Sequence, residues 1–154
     1  MEYRRLCSSH DTQLAELIRT ILRSHHLDMP GTAYYDSSLD HLSDYYSLPG
    51  RTYYVLMDQN IVIGGIGIAE YDGECCELQK LYLAESARGN GIGYEMIRFI
   101  ENKAREMGYR QIYLETHTNL QAAIHIYEKS GYRQVNRPEN AIHSAMNRFY
   151  QKDL

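Results

Sequence analysis

The segment S-A-R-G-N-G-I-G-Y, residues 86–94, places three glycines at alternate positions directly after an arginine. The residues before it, E-L-Q-K-L-Y-L, have the pattern of a strand, and those after it, E-M-I-R-F-I-E-N-K, have the pattern of a helix. A glycine loop at such a junction predicts an anion site, because the first helical turn leaves backbone N–H groups free and glycine lets a phosphate approach them. Arg88 adds a guanidinium that suits phosphate oxygens.

Two common phosphate loops do not fit this segment. It lacks the G-K-[ST] of a Walker A loop, and it lacks the third glycine of the dinucleotide pattern G-x-G-x-x-G. A glycine turn that binds nothing is the remaining structural interpretation, and the strand and helix on either side disfavour it.

Composition narrows the class of protein. The 154 residues carry a net charge of −4 and a sequence pI of about 6.0, which disfavours a nucleic-acid partner. There is no run of about 18 apolar residues, so we expect no membrane span, and the first residues lack the apolar core of a signal peptide. Three cysteines, two of them adjacent, form a poor disulfide framework and favour a cytoplasmic location.

Periodicity predicts a single domain over residues 1–154 with a mixed sheet and helices. The expected order is β-α-α-β-β-β-α-β-α-β-β, with His10-Asp11-Thr12 offering the N-cap of the first helix. A short second helix is expected after Ser37 or Ser38, and a hairpin follows Pro49-Gly50. The last strand is expected over residues 144–150.

The glycine segment resembles a known family signature. R-G-N-G-I-G matches the [QR]-x-x-G-x-[GA] pattern of the GNAT superfamily of acyl-CoA-dependent N-acetyltransferases, with Arg88, Gly91 and Gly93 on the defining positions. A-A-I-H-I-Y-E-K-S-G-Y resembles that family's A-x-x-x-Y-E-K-x-G-F block, and C-E-L-Q-K-L-Y-L resembles its cofactor strand. The resemblance implies an α/β (α+β) fold: a mostly antiparallel sheet of about seven strands with about four helices, splayed between the fourth and fifth strands.

The resemblance also implies a pose for acetyl-CoA as co-substrate, without a metal. The pyrophosphate would lie on the N–H groups of the loop with Arg88 beside it, and the pantetheine arm would run along Leu81, Tyr82 and Leu83. The family often has an asparagine where this chain has Leu120, so Asn119, one residue earlier, is the candidate amide contact. The loop residues implied to bind are Gly89, Asn90, Gly91, Ile92 and Gly93.

Amine attack on a thioester needs a base, an oxyanion donor and an acid. Glu77 matches the position of a glutamate base in several family members, although a carboxylate at a strand end also suits the surface. Glu115, on the neighbouring strand, is the rival base. Tyr127 occupies the family's general-acid position, although a tyrosine on an amphipathic helix also suits the core. The N–H near Tyr82 or Leu83 would stabilise the oxyanion, while an acyl-enzyme on Cys76 is disfavoured for lack of an activating neighbour.

The expected acceptor is the primary amine of a small molecule, such as an amino acid, because some similar small bacterial enzymes act on free amino acids. The tyrosine-rich segment 25–46 would wall its site, and Arg137, His143 or Arg148 would supply a cation for a carboxylate. A protein or peptide N-acetyltransferase and a non-catalytic CoA-binding sensor are the alternatives, and a homodimer is left open.

Overall fold

One seven-stranded sheet runs through the chain, of which the computed structural model describes residues 1–154. The order across the sheet is β1-β2-β3-β4-β5-β7-β6, and every neighbouring pair is antiparallel except β4 and β5. The strands are β1 (Glu2–Arg5), β2 (Thr52–Asp58), β3 (Ile61–Asp72), β4 (Cys75–Leu83), β5 (Gln111–Thr116), β6 (Arg133–Val135) and β7 (Arg148–Asp153).

Helices cover both faces of the sheet. The helices are α1 (Asp11–Ser24), α2 (Leu42–Tyr45), α3 (Ile92–Glu106) and α4 (Gln121–Lys129). The apolar faces of α3 and α4 pack on one side of the sheet, and α1 packs on the other. This arrangement confirms the predicted fold class. None of the helices combines the length and apolar character that crossing a bilayer requires.

The parallel pair β4–β5 separates after a short stretch of pairing. The two strands pair only where residues 75–77 meet residues 111–113, and β4 then diverges from β5. A bulge bends β4 at Lys80, whose φ is +52° and which lies opposite a register shift between Gly65 and Gly67. The hydroxyl of Tyr53 donates to the Lys80 carbonyl at 2.7 Å and supports the bulge. The predicted splay between the fourth and fifth strands is therefore confirmed.

Three local predictions differ from the structure. The second helix has only four residues, because short 3-10 turns occupy much of the segment around it. The Asp11 carboxylate accepts hydrogen bonds from the N–H and hydroxyl of Ser43, so it joins α1 to α2 and does not cap α1. The last strand begins at Arg148, because the preceding residues turn across the end of β5, where the Asn147 N–H donates to the Thr116 carbonyl at 3.0 Å.

Candidate active site

The splay opens a cleft of about 1160 Å³ between β4 and β5, part of it open to solvent. Residues from the end of α1, from β4, β5 and α4 and from the β6–β7 loop line it. The cleft brings together eight of the predicted site residues, namely Glu77, Leu81, Tyr82, Leu83, Arg88, Gly93, Glu115 and Tyr127. The other loop residues and Asn119 do not line it.

The glycine loop has a backbone that favours glycine at two positions. Gly89 has a φ of +90° and Gly91 a φ of +75°, and no atom lies within 4 Å of a Cβ added at either. The space beside these residues is open, and α3 begins directly after them at Ile92. The free N–H groups of the first turn of α3 therefore adjoin an open, electropositive helix end.

Gly93 is glycine for a different reason. Its added Cβ would lie 2.6 Å from Cδ1 of Ile126 on α4, so the absence of a side chain allows α3 and α4 to pack closely. The Ile92 side chain is buried in the core, and Asn90 is exposed. Arg88 is held to the strand, because its Nε donates to the Leu83 carbonyl at 3.0 Å.

Asn119 is engaged within the protein. Its Nδ2 donates to the His25 carbonyl at 3.0 Å, and its backbone N–H donates to Nδ1 of His117 at 3.0 Å. The first of these bonds ties the residues before α4 to the end of α1.

Tyr127 presents a hydroxyl to the cleft that makes no hydrogen bond within the protein. The residue is 5% exposed and lies on the face of α4 that packs into the core, with its ring 5.8 Å from that of Tyr132. Burial raises the pKa of the Tyr127 hydroxyl well above its ordinary value, so the group stays protonated. Tyr127 therefore lines the cleft with a protonated hydroxyl, and its ring is part of the core.

Glu77 is 9% exposed and lines the same cleft. Burial raises the pKa of its carboxyl, and the charge of Glu115 adds to that rise. A hydrogen bond from the Gln79 amide opposes it, as do the charges of His143 and Lys80. Gln79 in turn accepts a hydrogen bond of 2.8 Å from the hydroxyl of Tyr46. The sequence interpretation missed Gln79, although residues two apart on a strand lie on the same face and would have indicated it.

Glu115 lies on the same face of the sheet as Glu77. Glu77 pairs with Tyr113, and Glu115 follows two residues later on β5. The Tyr113 hydroxyl donates to Oε2 of Glu115 at 2.9 Å, and the His143 backbone N–H donates to Oε1 at 3.4 Å. Both donors are uncharged, so the carboxylate has no cationic partner.

A charged cluster beside the carboxylates also escaped the sequence interpretation. The side chain of Lys80 is 8% exposed, and its Nζ lies 2.8 Å from Oδ2 of Asp36. Nε2 of His143 lies 2.8 Å from the other oxygen of Asp36. Burial acts to raise the pKa of Asp36, but the hydrogen bond from His143 and the charge of Lys80 lower it overall. This cluster joins the α1–α2 segment, β4 and the β6–β7 loop.

The expected wall of tyrosines is wrong. From segment 25–46 the cleft is lined by His25, Leu27, Thr32 and Ala33. Tyr46 is buried behind Gln79, Tyr35 is 61% exposed, and the Tyr34 hydroxyl accepts a hydrogen bond from Arg23. Tyrosine suits both core and surface, so its abundance did not indicate which rings would face a ligand.

Of the three cations expected near the acceptor, only His143 lines the cleft. Arg137 donates to the Met146 carbonyl and lies 4.7 Å over the Phe149 ring. Arg148 donates to the Asn147 carbonyl at 2.8 Å. Neither arginine is placed to receive a carboxylate in the cleft.

Cys76 does not have the surroundings of a nucleophile. It is fully buried, and burial raises the pKa of its thiol to about 12. A thiol with that pKa is almost entirely protonated at neutral pH, which disfavours an acyl-enzyme.

Comparison with known proteins decides the family. The Acetyltransferase (GNAT) family profile matches residues 17–132. The chain belongs to this family. It is 36% identical to the uncharacterized N-acetyltransferase YjgM of Escherichia coli (strain K12) over 136 residues, which cover 86% of this chain and 81% of the relative. This GNAT protein is an acetyl-CoA-dependent N-acetyltransferase.

Solved structures share its fold. A GNAT-family acetyltransferase from Staphylococcus aureus Mu50 superposes with a TM-score of 0.89 at 20% identity, covering 99% of this chain and 98% of that one. An aminoglycoside 6'-N-acetyltransferase complexed with coenzyme A superposes with a TM-score of 0.74 at 22% identity, covering 99% and 97%.

Proposed function

We propose that the protein transfers an acetyl group from acetyl-CoA to the primary amine of a small molecule, by direct attack in a ternary complex. The observation that carries this proposal is the shared lining of one cleft. Arg88 and Gly93 lie at its glycine-loop end, the Tyr127 hydroxyl faces it without a partner, and Glu77 and Glu115 line it as buried or half-buried carboxylates.

The glycine-loop end suits a pyrophosphate. The free N–H groups at the start of α3 and the positive end of its dipole favour an anion, and the open space beside Gly89 and Gly91 leaves room for one. Arg88 keeps its outer nitrogens available, because only its Nε is used by the Leu83 carbonyl. The pantetheine arm would follow Leu81–Leu83, where β4 has left β5 and has no neighbouring strand on that side.

The reaction needs proton transfers both at the nitrogen of the acceptor and at the sulfur of the leaving CoA. The acceptor arrives as an ammonium ion and loses a proton to Glu77, directly or through water. The amine nitrogen then attacks the thioester carbonyl, and backbone N–H groups near Tyr82 or Leu83 stabilise the oxyanion. As the C–S bond breaks, Tyr127 donates its proton to the sulfur, and the nitrogen, which is cationic after attack, loses its second proton to solvent. Glu77 then releases its proton to solvent, and Tyr127 takes one proton back. The products are the acetamide, free CoA and one released proton.

Glu77 suits the base better than Glu115 does. It is the more buried carboxylate, its pKa is raised, and its Oε2 accepts no hydrogen bond within the protein. Both Glu115 oxygens already accept hydrogen bonds. A base whose pKa is raised toward the working pH transfers protons more effectively.

A panel of amines tests the function. Purified protein is incubated with acetyl-CoA and with small amines, amino acids, peptides or folded proteins, and release of free thiol is measured. Acetylation of small amines supports the proposal. Turnover of peptides or proteins alone would make the chain a protein N-acetyltransferase, and CoA binding without turnover of any amine would make it a sensor. The cytoplasmic location and the homodimer stay predictions.

The pyrophosphate end has its own test. Arg88→Ala should weaken acetyl-CoA binding by roughly 1.5–3 kcal/mol, the value of a hydrogen bond to a charged group. The same variant should bind acetyl-pantetheine, which lacks the pyrophosphate, as well as the wild type does. An equal loss for both ligands in calorimetry would place the pyrophosphate elsewhere.

A further inference from the structure

Neither carboxylate in the cleft forms an ion pair. The acidic side chains that line it are those of Glu77 and Glu115, and the basic ones are those of His25, Lys80, Arg88 and His143. Lys80 and His143 lower the pKa of Glu77 through their charge, but both are paired with Asp36. Arg88 contacts Leu83, six residues from Glu77 and about 20 Å away along β4. The end of the cleft around Glu77 and Glu115 is therefore acidic.

Two polar atoms of the cleft make no hydrogen bond within the protein. They are Oε2 of Glu77 and the hydroxyl of Tyr127, and both are accessible, since the one fully buried side-chain oxygen without a partner is that of Tyr132. Glu77 is 9% exposed, and a carboxylate with so little exposure is costly to keep charged unless it is paired. A ligand that supplies positive charge and N–H donors would pair with it.

The spacing of the carboxylates allows two separate contacts. Glu77 lies beside Tyr113 across the β4–β5 pair, and Glu115 is two residues farther along β5. A strand spacing of about 4.8 Å and a rise of about 3.3 Å per residue place the Cα atoms of Glu77 and Glu115 about 8 Å apart. Both side chains lie on the same face, so one elongated molecule can contact both.

We propose that the acceptor is a diamine or polyamine, which Glu77 holds by the amine that attacks and Glu115 holds by a second ammonium group. This inference rests on the proposed function and gives its substrate class. It replaces the amino-acid expectation, because an amino-acid carboxylate would face two carboxylates and no free cation. After the attacking amine gives its proton to Glu77, the second ammonium remains paired with Glu115, so the acceptor is held through the reaction.

Three amines of equal chain length test the substrate class. They are 1,4-diaminobutane, n-butylamine and 4-aminobutanoate, which end in an ammonium, a methyl and a carboxylate group. We expect kcat/KM for the diamine to exceed that for butylamine by about 10-fold or more, with 4-aminobutanoate the poorest substrate. Butylamine within twofold of the diamine, or a preference for 4-aminobutanoate, would overturn the inference and leave N-acetyl transfer intact.

Substitution of Glu115 tests whether this residue causes the preference for the diamine over butylamine. Glu115→Gln should reduce the ratio of kcat/KM for diamine to that for butylamine by about 10-fold. The matched control is Glu106→Gln at an exposed position on α3, which should leave that ratio unchanged. An unchanged ratio in Glu115→Gln would overturn the role of Glu115. If that variant does not fold, the wild type provides the second measurement, because a charge-based preference for the diamine must fall as KCl increases.

Binding measured without turnover separates the proposed acetyl transfer from the proposed site for a second ammonium group. Calorimetry on the CoA-loaded protein should show tighter binding of the diamine than of butylamine. That preference without acetylation of any amine would support the cation site and overturn the proposed function. Acetylation of butylamine and the diamine at equal rates and affinities would support the function and overturn the cation site.

Discussion

The side-chain amide of Gln79 donates a hydrogen bond to Oε1 of Glu77, and the hydroxyl of Tyr46 donates to the amide oxygen of Gln79. A carboxylate only accepts hydrogen bonds, so the amide nitrogen must face Glu77 and the amide oxygen must face Tyr46. The relay fixes the direction of the carboxylate and stabilises its ionised form.

Removing the side-chain amide of Gln79 should therefore change the pH dependence of catalysis. Gln79→Met keeps the length of the side chain and deletes the donor that lowers the pKa of Glu77. The pKa of Glu77 should rise, and the base must be ionised to act, so the ascending limb of kcat/KM should move to higher pH. The measurement is a pH–rate profile with a saturating level of acetyl-CoA.

Two further variants complete that test. Tyr46→Phe keeps the Gln79 amide as the donor to Glu77 and removes only the hydrogen bond that orients this amide. The ascending limb should therefore move in the same direction as in Gln79→Met, but by a smaller amount. Gln134→Met changes the same residue type at an exposed position on β6 and should leave the profile unchanged. A limb that stays in place in Gln79→Met would show that Glu77 is not the titrating base.

Tyr127→Phe should lower kcat without destabilising the fold. The hydroxyl makes no hydrogen bond within the protein, so its loss leaves the ring and its packing with Tyr132 intact. Loss of a general acid typically lowers the rate roughly 10²–10⁴-fold. Single-turnover kinetics measure the chemical step, and a thermal scan checks the fold.

Tyr132→Phe is the matched control for Tyr127. This neighbouring tyrosine is equally buried but does not line the cleft, so kcat should stay near the wild-type value. Equal losses in the two variants would indicate a packing effect, and unchanged kcat in Tyr127→Phe would make that residue part of the core alone.

The contacts of Asp36 with His143 and Lys80 should give a pH-dependent share of stability. The pKa of Asp36 is below its ordinary 3.8, so its carboxylate favours the folded state above that pH. The contribution is lost as the pH falls through the lowered pKa. Asp36→Asn should cost about 1.5–3 kcal/mol at pH 7, and the difference from wild type should shrink below pH 3.8.

Urea unfolding between pH 7 and pH 3 measures this difference. Asp28→Asn is the control, because Asp28 is exposed and forms no ion pair, and it should change stability by less than about 0.5 kcal/mol at any pH. The double variant Asp36→Asn with Lys80→Met should be more stable than Asp36→Asn alone, since it leaves no buried ammonium unpaired. A pH-independent cost in Asp36→Asn would contradict the assignment.

The features that the sequence predicted well are local. Strand β4, the glycine loop and helix α3 lie within the 32 residues from Cys75 to Glu106, so a local pattern predicted their order. The proposed acceptor end depends on long-range contacts: Asp36 meets Lys80 across 44 positions and His143 across 107. No local pattern marks such a meeting, and for that reason the cluster and the acidic character of the cleft emerged only from the fold.

Gly93→Ala should weaken the packing between α3 and α4, and a second substitution should restore it. The added methyl would approach Cδ1 of Ile126 at 2.6 Å, and overpacking of this kind typically costs about 1–3 kcal/mol. Ile126→Val removes that Cδ1 atom, and the next atom, Cγ1, lies at an ordinary 3.7 Å. The double variant should recover both the unfolding midpoint and the affinity for acetyl-CoA, because the methyl points toward α4. Recovery of stability without recovery of affinity would show that Gly93 also leaves room for the ligand.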